Sequence, residues 1–218
     1  LVFGLWPVSL AVGAAVLPVP VRARSEGEFA VGRLNVFRLF DSVDDAADSA
    51  AGGRTREDVV LDEAEYATRR DKLARYVVDV LDAPDVFSVQ EVEGLNALDD
   101  LAATINALDP TVTYSNVLIE GNDVGTIDVG FMVRASIAVD DVRQLGREEI
   151  LEFDGSLLND RPPLLLAARY IADGNDLPIG AIAVHNRSLG GVDSASSGER
   201  VRAKRLAQAQ SLAREIQA

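Results

Sequence analysis

The stretch "APDVFSVQEVEGL", Ala83 to Leu95, decides how the rest of the chain is read. Val86-Phe87-Ser88-Val89 is a short apolar run behind a proline, the pattern of a strand entering a core. It ends on Gln90, Glu91 and Glu93, with only Val92 between them. A buried strand that carries a carboxylate to its own end presents that group from a rigid support, the placement that catalysis and binding use.

Upstream of that strand, "LDEAEYATRRDKLARYVVDVL" reads as a helix. Asp62 with Glu65 three residues later is a capping arrangement, and Tyr66, Leu73, Val77, Val80 and Leu81 share one face. Pro84 is expected to stop it. Further upstream, "EFAVGRLNVF" reads as a strand through Phe29, Val31, Leu34 and Val36, with Gly32 as a possible irregularity; the acidic, small-residue stretch that follows reads as a surface loop. Downstream, "LNALDDLAATINALDP" places Leu95, Leu98, Leu101, Ala102 and Ile105 on a second amphipathic helix closed by Asp109-Pro110.

Beyond that helix the period is two. "TYSNVLIEG", "TIDVGFMVRA", "IAVDDVRQL", "PPLLLAARYIA" and "LPIGAIAVHNRSL" all read as strands. Ser196 and Glu199 are expected to cap a last helix with Leu206, Ala209, Ala213 and Ile216 on its inner face. Strands in succession between helices predict an α/β sandwich: two packed mixed or antiparallel sheets flanked by helices, α-β-β-α in order and incomplete. A doubly wound dinucleotide fold would need strict strand–helix alternation and an early glycine fingerprint, and neither is visible.

The 218 residues are 48% hydrophobic, enough for one sizeable core. A formal charge of -14 excludes a generally basic surface for nucleic acid, so a phosphate ligand needs a locally positive site or a cation. The absence of cysteine excludes disulfides, zinc–thiolate sites and a cysteine nucleophile. The chain opens on Leu1 and closes inside a helical pattern, which predicts a piece of a longer protein. Residues 1–27, apolar and interrupted by glycine and proline, read as the end of an upstream module and a Pro-rich linker in preference to a signal peptide, and no stable membrane insertion is expected. Residues 28–218 are then the N-terminal part of a catalytic-type domain.

Four polar residues stand at or near the ends of apolar strands: Asn35, Glu91, Arg161 in "NDRPPLLL", and His185, the only histidine. Singly, each has an ordinary structural role: a backbone partner, a helix cap, a surface ion pair with Asp160, a hydrogen-bonded core histidine. As a set they are more telling. The order "LNVFRLFD … APDVFSVQEVEGL … IDVGFMVR … RPPLLLAA … VHNRSLGG" resembles the endonuclease/exonuclease/phosphatase superfamily, over about Glu28 to Ala218, and among its members looks closest to bacterial extracellular nuclease-like proteins. "QEVE" carries most of that resemblance; "NV" and "HNRS" alone are weak.

The resemblance implies a metal-dependent phosphodiesterase, most simply a nuclease, acting by in-line attack of water. By it Glu91 matches the ligand of a divalent cation, usually Mg²⁺, with Mn²⁺ or Ca²⁺ in its place in some members. Asn35 matches a residue beside the metal or the attacking water. His185 matches the histidine on the scissile phosphate, and Arg161 a phosphate-contacting arginine. Asp128 and Ser188 take supporting roles, and Arg187 a solvated or substrate-edge one. The basic run Arg200, Arg202, Lys204 and Arg205 reads as the wet face of a helix.

The family's later aspartate, asparagine and terminal histidine motifs have no counterpart in this sequence, so the piece is expected to be inactive alone and to expose a sheet edge. A phosphatase of small phosphate esters, and a scaffold domain that keeps the fold without the chemistry, remain the alternatives. The resemblance implies an extracytoplasmic or secreted protein, a cytoplasmic one otherwise.

Overall fold

The computed structural model describes residues 18–25, 27–44, 59–172 and 174–217. The expected module end before residue 18 lies outside them. Among the described residues the order is β1 (Val31–Leu39), α1 (Glu63–Arg75), β2 (Val86–Val92), α2 (Leu95–Leu108), β3 (Tyr114–Leu118), β4 (Asp128–Arg134), β5 (Ile137–Gln144), β6 (Leu164–Ala172), β7 (Asn175–Ala183) and α3 (Gly198–Gln217). One sheet runs β1-β2-β4-β3, with β1 parallel to β2 and the other pairs antiparallel; a second, antiparallel sheet runs β5-β6-β7. This is the expected α/β sandwich.

Alternation along the strands builds two cores. On β4, Val129, Phe131 and Val133 face the second sheet with Leu164, Leu166 and Tyr170, while Met132 joins the helices' side. On β2, Phe87 and Val89 face α1 and α2, where they meet Leu98, Leu101 and Ile105. The two-residue period of a pleated strand produces this division. α1 is capped as expected, the Asp62 side chain accepting from the Ala64 amide at 2.9 Å. Its end differs from expectation. The helix loosens into a π-helical stretch over Tyr76–Val80, and Asp82 and Ala83 take left-handed backbones (φ 55° and 41°) before Pro84 is reached.

The irregularity foreseen at Gly32 lies farther along. Gly32 pairs regularly with Phe87, and a Cβ there would stand 2.5 Å from Pro84, so glycine is needed for close approach. The register slips between Asn35 and Leu39 on β1, and between Gln90 and Val92 on β2. Both slips occur at the same level of the sheet.

Buried Asp85 ties the other end of these strands together. Its Oδ2 accepts from the Ala30 amide at 2.9 Å and from Arg24 Nη1 at 2.8 Å, and its Oδ1 accepts from Ser136 Oγ at 3.1 Å. The stretch read as a linker is thus bonded to the sheet through Arg24.

α3 corrects the sequence reading most sharply. Its buried residues are Gly198, Val201, Lys204, Gln208 and Ser211, whereas Leu206 and Ile216 are 61% and 66% exposed and Ala209 and Ala213 face outward. The partner of α3 is the polar connection between β5 and β6. Lys204 Nζ meets both Asp160 oxygens at 3.0 and 2.8 Å, Gln208 Nε2 donates to the Leu158 carbonyl at 3.1 Å, and Ser211 donates to Glu149. Polar partners select a polar face. The basic run is a wet face only in part: Lys204 is buried, Arg202 is exposed and donates to the Val192 carbonyl, and the half-buried Arg200 and Arg205 pair with Asp154 and the Arg187 carbonyl.

Candidate active site

The slip on β2 releases the carboxylate. Phe87 and Val89 point to the helices, and strict alternation would bury residue 91 beside them. Instead Glu91 adopts φ +63°, and Val92 takes the next inward position in the same core. A bulge of this kind re-aims one side chain while the strand continues. The three polar residues that close the stretch therefore part company. Gln90 is buried facing the second sheet, accepting from Arg33 Nε at 3.1 Å and donating to Ser88 Oγ at 2.8 Å. Glu93 Oε2 accepts from the Asp41 amide at 2.7 Å. Glu91 is left at the strand's mouth with its side chain 21% exposed.

Around Glu91 the chain gathers distant residues. Asn35 Nδ2 donates to Glu91 Oε1 at 2.8 Å, and Asn35 Oδ1 accepts from the Phe37 amide at 2.8 Å. His185, two residues past β7, places Nε2 3.5 Å from the same Glu91 oxygen. Arg161, just before β6, pairs through Nη1 with Asp123, and its Nε lies 3.4 Å from the His185 carbonyl. Asp123 accepts from the Gly125 amide at 2.8 Å, and Arg38 Nη2 lies 3.7 Å from the point where a Cβ on Gly125 would stand. Glu91, Asn35, Asp123, Arg161 and His185 are thus joined in a chain of contacts, with the Phe37 backbone bonded to Asn35.

Burial holds the His185 imidazole below its ordinary pKa of 6.5; the nearby Arg161 guanidinium adds to that, and Glu91 and Asp123 pull the other way. His185 Nδ1 is buried without a hydrogen-bond partner. Glu91 Oε2 accepts no hydrogen bond among the described residues.

Four of the six residues singled out in the sequence meet here: Asn35, Glu91, Arg161 and His185. Asp128 stands at the start of β4 opposite Val92, and its Oδ1 accepts from the Gly121 amide at 2.9 Å, holding the turn that leads to Asp123. A Cβ on Gly121 would come within 2.3 Å of that oxygen. Ser188 bonds within its own loop, accepting from Arg187 Nη1 at 2.7 Å and from the Gly190 amide at 3.3 Å. Arg161 does not pair with Asp160, which belongs to Lys204. Sequence reasoning missed Asp123, because nothing local marks it out among 35 acidic residues.

Among solved structures the chain is similar to a β-hairpin deletion mutant of beta toxin from Staphylococcus aureus, at 13% identity and a TM-score of 0.45, over 88% of this chain and 62% of that one. It is also similar to the endonuclease/exonuclease/phosphatase from Bacteroides vulgatus, at 17% identity and a TM-score of 0.40, over 71% of this chain and 50% of that one. A third is truncated Caenorhabditis elegans TDP2, at 18% identity and a TM-score of 0.39, over 72% of this chain and 51% of that one. The chain spans between half and two thirds of the length of these structures. No protein-family model matches it, and no curated protein matches it significantly. Among the described residues no helix is long and apolar enough to cross a membrane.

Proposed function

We propose that this chain carries the metal-binding half of a phosphodiesterase of the endonuclease/exonuclease/phosphatase type, a nuclease in the first instance. The observation that supports it is the convergence on Glu91. Asn35, Arg161 and His185, from three other segments, surround a carboxylate held in a conformation the sheet itself does not need.

The donor set fits a hard divalent cation such as Mg²⁺, with Mn²⁺ or Ca²⁺ as substitutes. Such an ion prefers oxygen and often takes only one or two protein carboxylates, keeping water and substrate phosphate for its remaining positions. Glu91 would hold it through the oxygen that carries no hydrogen bond. Asn35 fixes the carboxylate's orientation through its amide, the outer support that ligating carboxylates need. When bound, the cation would neutralise charge on the phosphoryl group.

The chain's own residues supply the rest. His185, neutral at pH 7, offers one ring N–H to a phosphoryl oxygen, and Arg161 offers the guanidinium face not engaged by Asp123. Attack of water forms a new P–O bond as the bond to the leaving oxygen breaks; the water's proton is released and the leaving oxygen takes one up.

A small-ester phosphatase is the second reading, and the state of α3 favours it. Lys204 is buried against Asp160, and Arg200, Arg202 and Arg205 are each engaged by a carboxylate or a carbonyl of this chain, which leaves a weaker basic stripe for a long polyanion. In a protein that continues this chain through the family's later aspartate, asparagine and histidine motifs, incubation with supercoiled plasmid and Mg²⁺ should give nicking that EDTA abolishes. Glu91→Gln should abolish it too, with Mg²⁺ affinity by calorimetry reduced at least roughly tenfold. Intact plasmid with Mg²⁺-dependent release of p-nitrophenol from small esters would select the phosphatase. Equal Mg²⁺ affinity in the two proteins would remove Glu91 from the metal site.

A further inference from the structure

The corner that follows Asn35 is built in an unusual way. Phe37 and Arg38 are consecutive non-glycine residues with left-handed backbones, φ 55° and 59°. Left-handed backbone is unfavourable for such residues, and here it lies in the register slip between Asn35 and Leu39. Val36, Leu39 and Phe40 on either side are buried, while Phe37 is 42% exposed. A lone exposed aromatic is common and means little. This one is clamped. Its N–H is held by Asn35 Oδ1, its carbonyl accepts from Arg69 Nη2 on α1, and the Arg38 carbonyl accepts from the Phe40 amide at 3.0 Å. Three bonds from separate donors and acceptors hold a strained turn that leaves Phe37 exposed next to Glu91's partner Asn35 while Leu39 returns to the core.

Arg38 completes the corner. Its guanidinium lies 5.5 Å from the centroid of the buried Phe40 ring and has no ion pair among the described residues. In a chain of formal charge -14, an arginine with no carboxylate partner beside the Arg161–Asp123 pair is available to an external anion.

We propose that Phe37 and Arg38 form a nucleotide subsite beside the Glu91 centre: a nucleobase stacks on the Phe37 ring while Arg38 holds the adjoining phosphate. This deepens the phosphodiesterase reading and rests on it. A planar base offers the π-face that an exposed aromatic accepts, and a flanking phosphate offers the anion. The grip is one or two nucleotides long, which suits an acidic molecule without a basic groove.

The test is equilibrium binding in EDTA at fixed low salt, where nothing is hydrolysed. Fluorescein-labelled octathymidylate is compared with an abasic oligonucleotide of equal length and charge, read by anisotropy. The natural chain should bind the base-bearing strand roughly 5- to 100-fold more tightly. Phe37→Leu should erase that preference and Phe37→Tyr keep it. Arg38→Gln should weaken both strands alike and flatten their salt dependence. In a Trp6→Phe, Phe37→Trp chain, octathymidylate should quench the tryptophan and the abasic strand should not.

Equal affinity of the natural chain for the two strands overturns the subsite, as does a preference that survives Phe37→Leu. Plasmid nicking that requires Glu91, without any base preference, would keep the nuclease and remove the subsite. A Phe37-dependent base preference, in a protein continued through the later catalytic motifs that still cleaves no phosphodiester, would keep the subsite and remove the nuclease.

Discussion

Glu91 occupies a backbone conformation that glutamate avoids and glycine accepts. This gives a comparison that separates local strain from lost contacts. Glu91→Ala and Glu91→Gly both remove the carboxylate and its bond to Asn35. Glycine in a strand ordinarily costs about 0.5–1 kcal/mol relative to alanine. At this position the order should reverse, with Glu91→Gly more stable than Glu91→Ala by about 1 kcal/mol in urea denaturation. Alanine equal or superior would mean that residue 91 is not left-handed in solution. The presence of a carboxylate at the strand's end was legible in "VQEVE", since apolar runs and polar endings are written in order. The bulge was not, because alternation predicts which side a residue faces and says nothing about where the alternation breaks. Asp123 was illegible for a different reason. Its meaning lies in its pairing with Arg161, 38 residues away.

At the scale of elements, β2 and β4 were read correctly because each is buried on both faces and its apolar residues run almost unbroken. α3 was read with the wrong face inward. Leu206, Ala209, Ala213 and Ile216 have helical spacing, yet the surface available to receive the helix carries Asp160, Glu149 and the Leu158 carbonyl. Spacing identifies a helix, and the partner surface chooses the face. The consequence can be measured. Leu206→Lys should change stability by less than about 0.5 kcal/mol. Asp160→Ala, which strands the buried ammonium of Lys204, should cost about 2 kcal/mol, short of a fully buried pair because Asp160 is 39% exposed. Lys204→Met, which keeps the volume and removes the charge, should cost less than Asp160→Ala. A thermal melt series that ranks Leu206→Lys as the most damaging of the three would contradict this packing.

The whole molecule is a stack in which two cores share one sheet, with the candidate site where the strand ends of both sheets approach each other. β1 and β7 are outer strands of their sheets, and between them lies an open groove of about 650 Å³ lined by Phe29, Val31, Phe131, Leu166 and Ile179, with Arg33 at its polar side. Among the described residues β1 and β7 each pair on one side only. Assembly of the site also couples it to global stability. His185 is held below pKa 6.5 in the fold, so above about pH 6.5 both states are neutral and its contribution is complete. As pH falls, the unfolded chain takes the proton first, and stability is lost down through the folded pKa. In EDTA, the melting temperature of His185→Gln should therefore fall less between pH 7 and pH 5 than that of the natural chain. Parallel curves would assign the acid sensitivity to other groups.

The bulge in β2 has one more implication. Counting along the pleat, Val92 would occupy the regular inward position after Val89 if the residue between Gln90 and Val92 were absent. The sheet therefore treats Glu91 as an insertion: the hydrophobic frame is complete without it, and the chemistry proposed for the site rides on a supernumerary residue. A single three-base insertion or deletion would create or erase the proposed metal ligand while leaving the core in phase, which would make gain and loss of that chemistry on this scaffold a short evolutionary step.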